Sequence, residues 1–269
     1  MRSESVLVNG VRSSAIDVLD RGLHYGDGVF RTLKAVAGEV RWWEDQYRKL
    51  AEDCASLGIP CPDETVLEAE VRRLAAEPGV GAIKIIVTRG AGRRGYAVPA
   101  EPRSSRIVMG FAAGGNENRD VRVRWCDLRL SAQPRLAGVK HLNRLENVLA
   151  RSEWSDDGIA EGLLQDESGS VVCGTMSNLF IAEGKSLVTP GLARCGVAGV
   201  ARSRIIRSAE RHGRPARIEP LTRERLLAAD GVFLCNSLIG VWRVARLDGR
   251  CWRDAGEADI LRSWLDEPR

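Results

Sequence analysis

Hydrophobic and polar residues of this chain follow two different periods that alternate along its length. In the first half, period-two alternation and short apolar runs predict strands at 6–11, 29–42, 82–90 and 106–113. Asn-Gly at 9–10 predicts a hairpin turn, and Ala37-Gly38 divides the second segment into two strands. Helical spacing of apolar residues predicts helices over 43–57, which Gly58 ends, and over 65–76.

The second half begins after a polar, glycine-rich stretch. We expect a linker at 115–120, between an N-terminal domain at 1–114 and a C-terminal domain at 121–269. Beyond it, the patterns predict strands at 121–126 and 231–236, hairpins at 162–172 and 178–190, and helices at 143–154, 200–212 and 257–265. Helices and strands are mixed in both halves without the regular alternation of a Rossmann sheet, so the predicted class is mixed α/β (α+β).

Composition excludes several classes of protein. A chain of 269 residues with 44% hydrophobic residues can bury a sizeable core. Its net charge is only +4 and its basic clusters are short, which argues against a nucleic-acid partner. The seven cysteines include no CxxC pair and the three histidines are scattered, so we expect neither a metal site nor a disulfide framework. The absence of a signal-like or membrane-spanning apolar segment predicts a soluble, cytoplasmic protein with no membrane partner.

One lysine lies in a stretch that is typical of a chemical site. Lysine is rare beside arginine in this chain and occurs at positions 34, 49, 84, 140 and 185. Lys140 belongs to the run GVKHLNR, whose glycine and polar flanks predict a strand end that opens into a cavity. Two interpretations stay open: a surface lysine before a helix, or a lysine with a lowered pKa that forms an imine.

Glycine-rich segments mark further candidate places. Residues 21–30 predict a tight turn under a site or a phosphate loop, although the Walker ending is absent. Residues 89–96 place arginines on a flexible loop, which suits either a carboxylate ligand or simple solvation. The segment 196–200 opens a helix whose free amides can bind an anion. The strand end at 235–237 is also only weak evidence for a binding site.

Six segments together resemble a known family. They are RGLHYGDGVF (21–30), TRGAGRRGY (88–96), LAGVKHLNRLENVLAR (136–151), SNLF (177–180), VTPGLARCGVAGVAR (188–202) and CNSLIGVW (235–242). In them the chain is similar to the class IV pyridoxal-phosphate-dependent aminotransferases and lyases, and the run 140–146 favours the lyase members. The resemblance implies an N-terminal α/β domain, a C-terminal pseudo-barrel domain that carries the imine lysine, pyridoxal 5'-phosphate between them, and a homodimer.

The resemblance also implies a reaction and a set of residues. The expected reaction is the loss of pyruvate from a small-molecule substrate, 4-amino-4-deoxychorismate, which leaves 4-aminobenzoate, a folate precursor. Lys140 is the implied imine lysine and proton shuttle. The other cofactor-binding residues are implied at Val197 and Ala198, through their amides, and at Asn236 and Ser237. Substrate-binding residues are implied at Arg94, Tyr96 and Asn143, and Arg94 is expected to bind a carboxylate.

Three positions depart from the family pattern, and one of them is Gln46, where the family often has a histidine. Where the family has an arginine that grips the cofactor phosphate, alignment places Lys49, with Arg48 beside it as the alternative. A lysine keeps the positive charge but loses the fork of an arginine. The family's glutamate that pairs with the pyridine nitrogen falls on Cys173, and Glu161 is the alternative acid if that alignment is displaced.

Two other functions stay open beside the lyase reaction. The same scaffold suits an aminotransferase that acts on D-amino acids or branched-chain amino acids. The departures at Lys49 and Cys173 also allow a cofactor-free relic that acts as a binding protein.

Overall fold

A computed structural model describes residues 5–112, 114–115, 117–253 and 256–268. The chain divides into two compact units: the first is Met1–Gly115 with Val139–Asn143, and the second is Asn116–Gly138 with Arg144–Arg269. The division falls at the edge of the expected linker, of which Asn116 lies outside the described residues. The segment Val139–Asn143, with Lys140, belongs to the first unit. The sequence had led us to expect this lysine in the C-terminal domain.

The first unit is built on a six-stranded sheet in the order β2-β1-β6-β5-β3-β4, in which neighbouring strands are antiparallel. Its elements are β1 Ser5–Val8, β2 Val11–Arg12, α1 Arg21–Tyr25, β3 Gly28–Val36, β4 Glu39–Val40, α2 Trp43–Leu57, α3 Glu64–Ala75, β5 Val80–Thr88 and β6 Ser105–Ala112. The predicted strand at 106–113 reaches Ala113, which lies outside the described residues. Asn9 and Gly10 both have positive φ, 51° and 85°, as the predicted hairpin turn requires.

Helix α2 has the predicted bounds because its sequence contains both the apolar stripe and the end signal. Leu50 and Cys54 are fully buried against the sheet. Gly58 ends the helix in the left-handed region at φ 62°. Helix α1 was not predicted, since five residues are too few to show a helical period; Asp20 caps its first turn and Gly26 ends it.

The segment that carries Lys140 lengthens the sheet of the first unit. Phe30 donates its backbone amide to the carbonyl of Lys140 at 2.9 Å, and Leu142 donates to the carbonyl of Gly28 at 2.9 Å. Val29 and His141 are bridge partners between these bonds. Phe30 and Lys140 therefore oppose each other on antiparallel backbones, which places their side chains on the same face of the sheet.

The second unit is built on a nine-stranded mixed sheet. Its path is β12-β11-β10-β13-β14-β7-β8-β9, with β15 paired to β14. The elements are β7 Asp120–Leu130, α4 Leu145–Arg151, β8 Ile159–Asp166, β9 Val171–Gly174, β10 Asn178–Glu183, β11 Ser186–Pro190, α5 Val200–Arg211, β12 Arg217–Glu219, α6 Arg223–Ala228, β13 Gly231–Asn236, β14 Gly240–Leu247, β15 Arg250–Cys251 and α7 Glu257–Asp266. Three pairings are parallel: β11 with β12, β14 with β7, and β7 with β8.

The two ends of this sheet approach each other. Val171 in the last strand donates its amide to the carbonyl of Leu221, two residues after the first strand, at 2.7 Å. The sheet is therefore curled, as the pseudo-barrel expectation requires. Its apolar interior includes Leu163, Leu179 and Trp242. The predicted mixed α/β class is confirmed in both units.

Several predicted bounds in the second unit were wrong for identifiable reasons. Strand β7 runs past the predicted end at residue 126, because an irregularity between Trp125 and Arg129 lets the pairing resume. Strand β14 was missed because Arg243 interrupts its apolar run; this guanidinium is bound by Asp120. Strand β12, strand β15 and helix α6 are too short to show a period. Helix α4 spans Leu145–Arg151, which is shorter than the predicted 143–154.

Within the described ranges, the chain has no helix with the length and apolar character needed to span a membrane.

Candidate active site

A buried carboxylate in the first unit gathers three groups around it. Asp53 is fully buried, and helix α2 positions it one turn after Lys49. Its Oδ1 accepts a hydrogen bond from Lys49 Nζ, and its Oδ2 accepts one from Arg31 Nη2. The backbone amide of Lys140 donates to the same Oδ2 at 3.2 Å. The expected imine lysine and the residue at the expected phosphate position are therefore joined through one carboxylate.

The side chain of Lys140 lies over an aromatic ring. Its Nζ is 4.3 Å from the centroid of the Phe30 ring, close enough for a cation–π interaction. Lys84, from the neighbouring strand β5, lies over the same ring at 5.1 Å. Lys140 is thus partly buried within the first unit, which favours the interpretation of a chemical lysine over that of a surface lysine.

Two cations beside Asp53 have lowered pKa values. Burial, and to a smaller degree the charge of Arg31, lower the pKa of Lys49 to about 8, against the opposing effect of Glu52. Burial also lowers the pKa of Arg31 to about 10. Both groups thus carry their positive charge at neutral pH.

Arg48, the alternative to Lys49, lies elsewhere on helix α2. It donates to Asp45 at 2.6 Å, and its side chain is 49% exposed. The structure therefore places Lys49, and not Arg48, beside Asp53.

The loop with Arg94 and Tyr96 is tethered, which corrects the expectation of a flexible loop. The guanidinium of Arg21 donates to the carbonyls of Gly95, Tyr96 and Ala97 at 3.0 to 3.3 Å. The amide of Gly95 donates to the hydroxyl of Tyr25 at 3.0 Å. Of the two predicted residues, Tyr96 is 85% exposed and Arg94 is exposed, without a hydrogen bond or ion pair to any described residue. A tethered backbone thus presents both side chains to solvent.

The same tether explains the glycine-rich segment at 21–30. Asp27 accepts from Arg21 Nε and from Arg89 Nε, each at 2.8 Å. Burial raises the pKa of Asp27, but the hydrogen bonds and charges of Arg89 and Arg21 outweigh it, so that its pKa lies below the usual range. Of the two interpretations, the structure supports the packed turn and not the phosphate loop. Asn143, a predicted substrate residue, donates to the carbonyl of Gly26 at 3.2 Å.

In the second unit, one asparagine fixes the turn before helix α5. Asn178 donates to the carbonyl of Val197 at 2.8 Å and accepts from the amide of Gly199 at 3.1 Å. The amide of Ala198 donates to the carbonyl of Gly138 at 3.1 Å. A phosphate would have to share or replace this bond to use the Ala198 amide, so the predicted role of Ala198 needs a local rearrangement.

Asn236 stabilises a neighbouring turn. Its Oδ1 accepts from the amides of Leu238 and Ile239 at 2.8 and 2.9 Å, and its Nδ2 donates to the carbonyl of Met176 at 3.0 Å. Ser237 lies within this turn, half-buried. The structure gives Asn236 a role in shaping the turn, and a cofactor role for Asn236 and Ser237 stays a prediction.

Cys173 is a neutral thiol inside an apolar cluster. It lies in β9 opposite Leu164, and the cluster around it includes Cys126 and Trp154. Burial raises the pKa of Cys173 well above the ordinary value of a thiol, although the charge of Arg144 opposes this. The thiol therefore stays protonated throughout the physiological range.

Glu161, the alternative acid, is fully buried and already satisfied. Oε1 accepts from the amides of Gly162 and Thr175, each at 3.0 Å, and from the Thr175 hydroxyl. Oε2 accepts from the amide of Met176 at 3.1 Å and from the hydroxyl of Ser177 at 2.9 Å. Four of these five bonds hold the loop at 175–177, so Glu161 has a structural use that competes with any role toward a pyridine ring.

The described residues contain no group of three or more His, Cys, Asp or Glu side chains arranged to hold a metal ion.

A family model settles the class of this chain. The model for amino-transferase class IV matches residues 28–247, which include the Asp53 group, Lys140, Cys173 and the turn before α5. The chain belongs to the class IV aminotransferase family. Membership confirms the resemblance and the predicted dependence on pyridoxal phosphate, since the family depends on this cofactor.

Class IV proteins with different activities match the chain to different degrees. The crystal structure of 4-amino-4-deoxychorismate lyase from Pseudomonas aeruginosa is 45% identical, with a TM-score of 0.92 and 97% of each chain covered. Aminodeoxychorismate lyase of Vibrio harveyi is 34% identical over 239 residues, 87% of this chain and 88% of that protein. A Methanocaldococcus jannaschii protein provisionally assigned as a branched-chain-amino-acid aminotransferase is 31% identical over 262 residues, 93% of this chain and 89% of that protein.

The residues of this class IV chain fit the cofactor in part. The Asp53 group offers two cations, and Arg31 Nε is buried without a hydrogen-bond partner, so an anionic phosphate suits it. Lys140 offers the amine that the cofactor aldehyde needs. Cys173, at the position predicted for the pyridine partner, offers no carboxylate.

Sequence reasoning missed Asp53 and Arg31. Asp53 lies four positions after Lys49 on a helix, and this i,i+4 spacing could have indicated an ion pair. The signal at Arg31 is its place in an alternating strand, where the buried positions are otherwise apolar. A charge at an inward position marks either a compensated ion pair or a ligand site.

Proposed function

We propose that this protein is a pyridoxal-phosphate-dependent lyase that converts 4-amino-4-deoxychorismate into 4-aminobenzoate and pyruvate. The observation that carries the proposal is the 45% identity to the Pseudomonas aeruginosa lyase over 97% of both chains. Solved branched-chain aminotransferases with the same fold are 22–23% identical. The reaction needs no oxidant and no water, because the product atoms are those of the substrate.

The cofactor, when bound, supplies an aldehyde that combines with amines and a ring that takes up electrons. Lys140 is the residue that joins it covalently. Once the substrate amine had displaced it, the amine of Lys140 would take the proton from the ring carbon that bears nitrogen. The bond between the neighbouring ring carbon and the enolpyruvyl oxygen would break, and the departing enolpyruvate would take up one proton to become pyruvate. We propose Lys49 as the residue that would hold the phosphate, and the amide of Val197, Asn236 and Ser237 stay predicted cofactor-binding candidates.

The neutral thiol at Cys173 is compatible with elimination. A carboxylate at this position would keep the pyridine nitrogen protonated and make the ring a strong electron sink. A thiol whose pKa is raised by burial gives no such help. Elimination is favoured by the aromatic ring that it forms and by prompt loss of the leaving group. Transamination lacks both advantages, so the chain is better suited to the lyase reaction.

Arg94 is the candidate for one of the two substrate carboxylates. It is exposed and without a described partner, and its backbone neighbours are tethered by Arg21. A held backbone with a free guanidinium suits the two-point binding of a carboxylate. Tyr96 and Asn143 stay candidate substrate residues.

The test begins with an absorption spectrum of the purified protein with pyridoxal phosphate, followed by a coupled assay for pyruvate. We expect a visible band from the lysine adduct, and 4-aminobenzoate and pyruvate in equal amounts. A protein that stays colourless with added cofactor would point to the cofactor-free relic. A coloured protein that forms no pyruvate from aminodeoxychorismate would refute the lyase function.

A class IV aminotransferase is the second candidate. It is supported by the 31% identity to the Methanocaldococcus jannaschii protein over 93% of this chain. Amine transfer that depends on a keto acid, and that outpaces pyruvate release from aminodeoxychorismate, would favour it.

We also place the active protein in a homodimer in the cytoplasm. The seven tryptophans give little support for an interface, because Trp43, Trp154 and three others are buried in the chain's own core. Better support comes from helix α4, where Leu145, Val148 and Leu149 are 69%, 61% and 51% exposed. An apolar helix face of this kind marks an interaction surface, and a second copy is the occupant we propose. Light scattering that shows an active monomer at assay concentration would rule this out.

A further inference from the structure

Arg31 interrupts a row of apolar side chains in the first unit. Along β3, the inward positions 29, 31, 33 and 35 are buried, and at three of them stand Val29, Leu33 and Ala35, members of the apolar core under the sheet. The Arg31 side chain is only 3% exposed. Moving a guanidinium out of water is strongly unfavourable unless partners compensate it, so a charge in this row requires an explanation.

Asp53 compensates only part of the charge around it. The carboxylate binds both Arg31 and Lys49, so the three side chains carry a net positive charge before Lys140 is considered. Glu52 lies 3.9 Å from Lys49, but its side chain is 55% exposed and water screens it. The group therefore has more positive charge than its buried acid can balance.

The hydrogen bonds are incomplete as well. Arg31 Nε is buried and has no hydrogen-bond partner. A buried donor in this condition destabilises the fold, and such groups are rare in folded proteins. Lys49 has three donor hydrogens, so one bond to Asp53 leaves others for a second acceptor. An anion with several oxygen atoms would use both the charge and the unused donors.

We infer that Arg31 and Lys49 together bind the phosphate of the cofactor, with Arg31 supplying the guanidinium that position 49 lacks. Asp53 is then a positioning residue, because it holds both cations and the backbone of Lys140. The inference rests on the proposed function, since it takes the cofactor to be pyridoxal phosphate. The guanidinium that binds the phosphate would then come from strand β3, whereas the family pattern has it on helix α2.

The test compares pyridoxal phosphate with pyridoxal, which lacks only the phosphate. Both are titrated into cofactor-free protein, and the visible band of the lysine adduct reports binding. Wild type should bind the phosphorylated form more tightly. Arg31→Met should reduce this preference on the order of ten- to hundredfold, as the loss of a charge-assisted hydrogen bond predicts. Lys49→Met should also reduce it. Asp53 keeps one cationic partner in either variant.

Lys34→Met is the matched control, because Lys34 is on the same strand and on the opposite face. It should leave the preference unchanged. If Arg31→Met weakens pyridoxal and pyridoxal phosphate equally, Arg31 only supports the fold and the inference is wrong. An unchanged preference would overturn it too. Should Arg31→Met fail to fold, Arg31→Lys keeps the charge and loses the fork; a preference equal to that of wild type would then contradict the inference.

Wild type offers an independent measurement. Because burial lowers the pKa of Lys49 to about 8, the preference for pyridoxal phosphate should fall as the pH rises above about 8, and Lys49→Arg should remove this decline. Binding of pyridoxal alone corrects for the titration of the adduct. These titrations do not depend on turnover. Normal phosphate preference without lyase activity would therefore refute the proposed function and leave the phosphate site intact.

Discussion

The two groups of candidate residues differ in how fully their polar atoms are satisfied. In the first unit, Asp53 is shared by two buried cations, and Arg31 Nε has no partner. In the second unit, Glu161 accepts four hydrogen bonds from the loop at 175–177 and one from the amide of Gly162, and Cys173 is a neutral thiol among apolar side chains. One group has unused donors and excess charge, whereas the other has neither.

This difference distinguishes a group of residues that suits an anionic ligand from a group whose hydrogen bonds and apolar contacts stabilise the fold. Excess positive charge and an unpartnered donor are costly in a protein without a ligand. A satisfied carboxylate stabilises a loop and has little capacity for further acceptor roles. The charge and the unused donors of the first group therefore suit the phosphate that we propose it binds, whereas Cys173 and Glu161 offer no free acid for a pyridine ring.

The largest expected effect is at Lys140. Lys140→Met should abolish covalent attachment of the cofactor and lower the rate of pyruvate formation by a factor on the order of 100 to 10,000, the range for a lost general acid–base group. Lys84→Met is the matched control, because Lys84 also lies over the Phe30 ring. Borohydride reduction and peptide mapping give a second readout. Label on Lys34, Lys49, Lys84 or Lys185 instead would end the assignment.

A smaller effect is expected at Arg94. Arg94→Ala should raise the KM for aminodeoxychorismate or lower kcat/KM on the order of ten- to hundredfold, because one charge-assisted pair with a carboxylate is lost. The cofactor spectrum should not change. Arg93→Ala, a change in the neighbouring exposed arginine, is the control. Steady-state kinetics equal to those of wild type in the Arg94 variant would exclude this role.

Glu161 should affect stability more than chemistry. Glu161→Gln replaces an accepting oxygen by a donating NH2 group, which leaves loop donors unpaired and should cost about 1–3 kcal/mol of unfolding free energy. Glu167→Gln, at an exposed hairpin tip, should cost little. Thermal unfolding measures both. A changed cofactor spectrum with unchanged stability would instead identify Glu161 as the acid of the pyridine ring.

The burial of Glu161 also makes the stability of the protein depend on pH. Burial raises the pKa of Glu161, although hydrogen bonds from Thr175, Met176, Gly162 and Ser177 oppose this. The folded chain therefore holds the proton more tightly than the unfolded chain. This contribution to stability is present at low pH and is lost as the pH rises through the raised pKa. Glu161→Gln should remove that slope from the unfolding free energy, and an unchanged slope would contradict the attribution.

Local patterns predicted most of the fold. Helix α2 and the hairpins at β3–β4 and β8–β9 lie where their period and turn residues placed them. Strand β14 and the short elements were missed, because a compensated arginine or a length of a few residues leaves no period to detect. The place of the segment Val139–Asn143 in the first unit depends on long-range pairing with β3, which a one-dimensional pattern does not contain.

Residues of the candidate site could be predicted from the sequence only where they lie in a recognisable motif. Lys140 and the turn before α5 followed from recognisable runs. Asp53 and Arg31 did not, because their meaning arises from tertiary contact between a helix and a strand. The restraint of the Arg94 loop by Arg21 was missed for the same reason. Glycine content alone predicts mobility and does not reveal a tether.

The central claim is that this chain is a lyase in which the pyridine nitrogen of the cofactor has no acidic partner, because residue 173 is a cysteine. The most direct measurement is the ratio of two rates in one preparation: pyruvate release from aminodeoxychorismate, and transamination of D- or L-alanine. Cys173→Glu and, as a control without the carboxylate, Cys173→Gln are measured beside wild type, with thermal unfolding to verify folding. We expect rapid elimination and almost no transamination in wild type, and a larger gain in transamination than in elimination in Cys173→Glu alone. A wild-type protein that transaminates alanine as fast as it releases pyruvate would contradict the claim.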